Sequence, residues 1–393
     1  MTPASSAAGS MLTLSPYTPP AWARAVANCP PRRFNLAQVP TPVHRWHLPG
    51  VPDGCEVYVK RDDLTGGAEL SGNKVRKLEF LLADAVAEGA DCVVTVGAIQ
   101  SNHCRATAVA ARHLGLDAHL ILRCPREVAD AGDPGFVGNL LVERAVGATI
   151  HVVSKREYAE RGGGPGLTER VADRLRREGR RPYVIPVGGS DAVGGHGYLR
   201  FVDELERQCE DAALDLPTFT HIASACGSGG TTAGIALGCA LCPTFRDVGV
   251  LAYGVCDAPE YFRASCRDIL LAQGAPNDAI DRALGDPELS GDEGGGPGMG
   301  MVRFVQAKGA GYAMVTAEEM RYVASVAAET GIVLDPTYGG KAARAMAREM
   351  AEDPGAWRGR RVLFVHTGGT LGMFDKVDML EPLVKPSERL AFD

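Results

Sequence analysis

No apolar stretch in this chain approaches the roughly 18 uninterrupted residues of a membrane-spanning helix, because glycine breaks each run early. A spanning helix is therefore not expected. Positive charge is also short: 41 Lys and Arg stand against 48 Asp and Glu, a formal charge of −7, with no basic stripe for nucleic acid or an anionic bilayer. The eleven cysteines have neither an even count nor a signal peptide ahead of them, so they read as reduced thiols rather than a disulfide framework. Cys239 and Cys242 have the CxxC spacing, yet no second pair accompanies them, and small buried residues rather than a metal site are expected. No metal is assigned.

The chain does have length and apolar content. Its 393 residues, 45% of them hydrophobic, allow two or three domains with packed cores. Strand-like runs near 56–60, 92–96, 118–122, 149–153, 183–186, 221–225, 248–255 and 361–366 alternate with helical periodicity, which predicts an α/β fold of doubly wound parallel sheets. One predicted helix spans 73–88, with Val75, Leu78, Leu81, Leu82, Ala85 and Val86 on one face and Gly89 as its stop. Another starts at Thr316, with Glu319 completing a capping box. Residues 77–187 form one βα series and 188–393 a second, which segment 1–76 joins. The glycine-rich stretches 161–166 and 291–300 read as surface loops, the second a candidate lid.

Three local patterns carry chemistry. In the first, Lys60-Arg61-Asp62-Asp63-Leu64-Thr65 is followed by Ser71-Gly72-Asn73-Lys74-Val75-Arg76-Lys77-Leu78, which sets Lys74 at a helix start where Gly72 and Asn73 let the backbone come close. A lysine so held can form a Schiff base with an aldehyde if its surroundings lower its pKa; the plain alternative is a solvated surface lysine. The second is Gly97-Ala98-Ile99-Gln100-Ser101-Asn102-His103, a polar turn between a strand and a helix. Ser101 or Asn102 caps that helix, whose free N–H groups suit a carboxylate. The third is Ala225-Cys226-Gly227-Ser228-Gly229-Gly230-Thr231-Thr232-Ala233-Gly234, again between strand and helix, where glycines and hydroxyls make a phosphate cradle. Lysine, carboxylate turn and phosphate cradle together describe a site for pyridoxal 5′-phosphate joined to a small-molecule amino-acid substrate.

In this order and with these residues, the chain resembles the D-cysteine desulfhydrase and 1-aminocyclopropane-1-carboxylate deaminase family of fold type II pyridoxal-phosphate enzymes, the tryptophan-synthase-β-like group. Its motifs sit nearest those of plant-type D-cysteine desulfhydrases. The resemblance runs from about Pro16 to the segment Asp375-Lys376-Val377-Asp378. It implies that the domains are 1–76 with 188–393 and 77–187, that the cofactor lies in the cleft between them, and that the chain is a homodimer. It implies Lys74 as anchor and base, Lys77 on the cofactor phosphate, and Asn102 on the cofactor's 3′-oxygen. Ser101 and the backbone of Asn102 and His103 would hold the substrate carboxylate. The loop Gly227, Ser228, Gly229, Gly230, Thr231 would hold the phosphate. Tyr312 and Tyr338 match active-site tyrosines of the family, whose ordinary alternative is half-buried packing. The family's ordered N-terminus begins near residue 16, leaving a short leader; the first 52 residues hold four arginines and no Asp or Glu, the composition of a transit peptide, so cytosol and organelle both stay open.

The position after Tyr338 discriminates between activities. Deaminases of this family place a glutamate there to keep the pyridine nitrogen protonated, which strengthens the electron sink needed to open a cyclopropane ring. This chain has Gly339, which favours β-elimination of D-cysteine to pyruvate, ammonia and hydrogen sulfide. Desulfhydrases usually carry Ser or Thr at that site, so Gly339 departs from both, and Thr367 or Thr370 is left to supply a hydroxyl to the ring nitrogen. Ring deamination and a catalytically silent cofactor-binding protein are the alternatives. A nicotinamide oxidoreductase is disfavoured because Thr232 stands where the third glycine of a dinucleotide fingerprint belongs.

Overall fold

The run Cys92-Val93-Val94-Thr95-Val96 shows little polar alternation, as fits a strand covered on both faces. The computed structural model describes residues 12–285 and 300–390. Its strands, in chain order, are β1 (Leu14–Pro16), β2 (Arg32–Phe34), β3 (Val43–Arg45), β4 (Glu56–Lys60), β5 (Cys92–Ala98), β6 (Asp117–Cys124), β7 (Thr149–Ser154), β8 (Pro182–Val184), β9 (His221–Cys226), β10 (Gly249–Gly254), β11 (Val302–Gln306) and β12 (Arg361–Val365). A six-stranded sheet has the order β11-β10-β9-β12-β4-β3 and is parallel except for the β3–β4 pair. A four-stranded sheet, β7-β6-β5-β8, is parallel throughout. β1 and β2 pair antiparallel. This is the expected doubly wound α/β architecture, built twice.

Both faces of each sheet are covered. In the small sheet, Val93, Leu120 and Leu122 pack with helices α1 (Lys74–Ala87) and α2 (Asn102–His113), while Cys92, Val94, Val96 and Ile121 pack on Leu167 and Leu175 of the helix Gly163–Arg177. In the large sheet, Ile222, Val250 and Leu363 face the helices Ala192–Glu210 and Gly230–Leu241, and Ala223, Leu251 and Phe364 face the helix Gly339–Glu352. Val75, Leu78, Leu81, Leu82 and Ala85 of α1 are all 0% exposed. The larger of these side chains stabilise the packing by about 1.5–3 kcal/mol each. Gly89 follows this helix at φ +72°, and Thr316 with Glu319 forms the expected capping box. We propose the two sheets as two domains, counting α1 with the small sheet because its apolar face belongs to that core.

The structure departs from expectation in three respects. Residues 161–166 are no simple surface loop. Gly162 and Gly163, at φ +80° and +64°, turn the chain into the helix Gly163–Arg177, and Gly164 is buried against Val96 and Val187. Strands β1, β2, β3 and β11 were not expected; the first three are only three residues long, and β11, which follows a glycine-rich segment, pairs among the described residues only with β10. Asn73 is in ordinary helical conformation at φ −56°, so only Gly72, at φ +97°, provides the close approach: a Cβ there would lie 2.8 Å from the Thr367 carbonyl oxygen. Positions 291–299 of the glycine-rich segment read as a lid lie outside the described residues.

The first motif converges on a buried ion network. Arg76, 1% exposed, donates to Asp62 from Nε at 2.9 Å and Nη2 at 2.7 Å, and to Glu204 Oε2 from Nη1 at 2.8 Å. Lys60 Nζ donates to Glu204 Oε1 at 2.5 Å, and the hydroxyls of Tyr198 and Thr41 donate to Asp62 at 2.9 and 3.0 Å. This network fixes the first turn of α1, and with it Lys74.

Candidate active site

The strands of both sheets deliver their C-terminal ends to one cavity of about 650 Å³. Such ends leave helix N-termini and turns facing the same space, where parallel sheets bind ligands. Lys74, Gly97, Ser101, Asn102, His103, Gly227 to Gly229, Thr231, Tyr312, Tyr338 and Thr367 all line it. Thr370 does not; it is exposed and opens a short 3-10 helix. Lys77 and Gly230 also stand back from the cavity surface.

Lys74 is the first residue of α1 and half-buried. Burial pulls its ammonium down to about 8. Its neighbours are clamped: the Asn73 N–H donates to Thr367 O at 3.1 Å, and the Asn73 side-chain amide donates to Thr231 Oγ1 at 3.0 Å. The lysine start and the phosphate cradle are therefore joined directly.

Ser101 caps α2, its Oγ accepting the Cys104 N–H at 3.1 Å. Gly97 is required because a Cβ there would collide with Ser101 and Cys104. The cap leaves the Ser101 O–H and the Asn102 and His103 backbone N–H groups as donors at a positive helix end, a set suited to a carboxylate. The His103 ring turns into the wall. Since the Thr95 hydroxyl donates to Ile185 O at 2.8 Å, His103 Nε2–H donates to Thr95 Oγ1 at 2.9 Å. Burial, then the charges of Lys74 and Lys77, hold this imidazole well below its usual pKa, so it is neutral. Asn102 Oδ1 accepts from Asn139 Nδ2 at 3.0 Å, and Asn139 Oδ1 accepts from Arg105 Nε at 2.8 Å. Arg105 in turn donates to Glu69 O at 2.6 Å and Ser71 O at 3.0 Å, holding the loop ahead of Lys74.

At the cradle, Gly229 takes φ +81° and the helix Gly230–Leu241 begins, leaving its first N–H groups free. Lys77 lies one layer behind, 1% exposed, with Nζ on Gly188 O at 3.1 Å and Ser190 Oγ at 3.0 Å. Ser190 Oγ is 2.8 Å from Ser228 Oγ, so the lysine reaches the cradle through two hydroxyls. A Cβ on Gly230 would stand 2.6 Å from Ser190 Oγ and 2.8 Å from Lys77 Nζ. Ser190 was missed from sequence; the small-residue run Gly188-Gly189-Ser190 before the Asp191 cap was its signal.

The Tyr312 and Tyr338 hydroxyls lie 2.7 Å apart. Burial raises both phenols, Tyr338 well above its usual value; Tyr312 is drawn back by the Tyr338 hydrogen bond and by Arg123, which leaves it the more acidic of the two. Behind Tyr338, the Asp335 carboxylate accepts the N–H groups of Thr337, Tyr338 and Gly339 at 2.9, 2.7 and 2.7 Å. Burial pushes its carboxyl up to about 6 against those three donors. A Cβ on Gly339 would stand 3.2 Å from Asp335 Oδ1, so an acid side chain there would start beside another carboxylate. Asp335 and Arg123 were also missed, since nothing local marks either.

Residues 34–368 match the family described as pyridoxal-phosphate dependent enzyme. The chain is 49% identical over 373 residues, covering 95% of it and 87% of the relative, to an Arabidopsis thaliana protein named bifunctional D-cysteine desulfhydrase/1-aminocyclopropane-1-carboxylate deaminase, mitochondrial. It is 36% identical over 353 residues to a D-cysteine desulfhydrase of Klebsiella pneumoniae, covering 87% of this chain and 95% of that one. Among solved structures, an ACC deaminase homologue superposes with a TM-score of 0.73 at 32% identity, across 93% of this chain and all of the other. Sequence span and shared architecture agree, and the chain belongs to the pyridoxal-phosphate dependent enzymes.

Proposed function

We propose that the chain catalyses β-elimination of D-cysteine to pyruvate, ammonia and hydrogen sulfide, with Lys74 as the base and the tyrosine pair serving the departing sulfur. The observation that carries this reading is the grouping of Lys74, the Ser101 turn and the Tyr312–Tyr338 pair around one cavity whose position 339 has no acid. The cofactor of the family fits the residues present. The free N–H groups, the hydroxyls of Ser190, Ser228 and Thr231, and Lys77 behind them form a donor set for a phosphate dianion, and Cβ atoms at Gly188 or Gly230 would crowd these hydroxyls.

Pyridoxal phosphate, when bound, supplies an electron sink for the pair left at Cα. The chain does the rest. The Ser101 hydroxyl and the Asn102 and His103 N–H groups orient the substrate carboxylate. Lys74 Nζ, its pKa drawn down to about 8 by burial, takes the Cα proton. Tyr312, the more acidic phenol, gives a proton to sulfur as the Cβ–S bond breaks, and Tyr338 holds it in place. Hydrolysis of the released aminoacrylate yields pyruvate and ammonia. The Thr367 hydroxyl, which has no hydrogen bond among the described residues, is our candidate partner for the ring nitrogen.

A second reading, ring opening of 1-aminocyclopropane-1-carboxylate, is favoured by the double name of the Arabidopsis relative. Gly339 weighs against it, because a hydroxyl or nothing at all on the ring nitrogen makes a weaker sink than an acid. The compartment named for that relative and the acid-free first 52 residues support an organellar address. A homodimer belongs to the same proposal; sedimentation of the purified protein tests it.

The activity test is to assay sulfide and pyruvate from D- and L-cysteine, and 2-oxobutyrate from the cyclopropane substrate, with the wild type and Lys74→Ala. D-cysteine turnover should vanish in Lys74→Ala, along with the cofactor's visible band. Sulfide still released by that variant sinks the assignment.

A further inference from the structure

Arg123 stands near the C-terminal end of β6, and its side chain lines the cavity. The guanidinium carbon lies 5.0 Å from the ring centre of Tyr158 and 5.5 Å from that of Tyr312. Among the described residues it has no ion pair; the two acids of the cavity wall, Glu169 and Asp257, are both exposed and neither is bonded to it. Arginine donates in the plane of its fork and stacks through its faces. With phenol rings beside it, the fork is left for an anion, which it binds bidentately.

We propose that Arg123 is an anion subsite next to the tyrosine pair, extending the substrate class to D-cysteine thioethers whose sulfur substituent carries a carboxylate. The inference rests on the β-elimination reading above. For S-(carboxymethyl)-D-cysteine, the Cα–H and Cβ–S bonds break, the Cα proton goes to Lys74 Nζ, and the Cβ–S electron pair leaves with sulfur. Sulfur takes a proton from the tyrosine pair and departs as thioglycolate. Water then converts aminoacrylate to pyruvate and ammonia, so no oxidant or reductant is needed.

The test compares S-(carboxymethyl)-D-cysteine with its amide, S-(carbamoylmethyl)-D-cysteine, which has nearly the same shape without the charge. Holoenzyme of the wild type and of Arg123→Gln is assayed for pyruvate with both compounds and with D-cysteine. The same compounds are also titrated by the change in cofactor absorbance and as competitive inhibitors, which gives a preference even without turnover. The wild type should prefer the carboxylate by about ten- to hundredfold, the range of a charged hydrogen-bonded contact. Arg123→Gln should bring that ratio near one; because Arg123 also draws down the Tyr312 phenol, any slowing common to both compounds cancels in the ratio. A wild-type ratio near or below one, or a ratio unchanged by Arg123→Gln, overturns the subsite. So does a parallel loss on both compounds, which would make Arg123 a brace for Tyr312. Failure to bind either compound overturns it too. If D-cysteine itself gives no pyruvate, the elimination reading fails, whereas the absorbance preference still judges Arg123 on its own.

Discussion

Replacing Arg76 by methionine should leave a buried acid without its cation. Asp62 is 0% exposed and holds two of the guanidinium bonds, at 2.9 and 2.7 Å; Glu204 holds a third at 2.8 Å and keeps Lys60. Removing one partner of a buried pair costs about 3–5 kcal/mol, because the other charge stays desolvated. At the entropy of unfolding of a chain this size, that lowers Tm by about 4–6 °C. Asp62→Asn added to Arg76→Met should recover at least half of the loss, giving a coupling of about 2 kcal/mol. Acid provides a second readout. Burial pushes the Glu204 carboxyl up, but Arg76 and Lys60 outweigh it and hold it at about 2. A depressed carboxylate stabilises the fold above its ordinary pKa near 4.5, and that contribution, about 3 kcal/mol, is lost as pH falls through about 2. In Arg76→Met the midpoint of acid unfolding should therefore move upward. Thermal melts and acid titrations followed by circular dichroism measure both. A Tm change below about 1 °C, or single-variant costs that simply add, would refute the reasoning.

Gly230→Ala should weaken pyridoxal phosphate by about tenfold or more, since its Cβ meets Ser190 and Lys77 at 2.6 and 2.8 Å, and should leave unphosphorylated pyridoxal much less affected. Equal losses for the two compounds would rule out a phosphate cradle at this loop. Imine formation needs the neutral amine, so the rate of loading apoenzyme with cofactor should rise with pH through a midpoint of about 8, the value to which burial pulls Lys74 down. A midpoint near the ordinary value of 10.5 would mean that Lys74 is not enclosed.

The parts of the site legible in sequence are those made locally. Ser101 and the glycines from 227 to 230 sit between an apolar run and a helical pattern, so turn, cap and donor set can be read from neighbours. Lys74 was legible for the same reason. The parts that were not legible are made by distant pairs. The Asn73 amide matters because it reaches Thr231, Lys77 is held against the cradle by its bond to Ser190, and Asn102 is braced by Asn139 and Arg105. Thr367 and Thr370 are three residues apart and equal as candidates until the chain folds, when one faces the cavity and the other solvent. The parallel sheets were evident from apolar runs, whereas β11, pairing on one side only, lacked so strong a signal.

The eleven thiols share one property: every one is shifted toward the protonated form, with burial as the leading cause. Cys226, beside the cradle, is pushed up to about 11, and Cys104, behind the carboxylate turn, higher still. Thiolates, not thiols, attack electrophilic sulfur. Polysulfides form where sulfide meets oxygen, and cysteines held in the protonated form are poor targets for persulfidation by them.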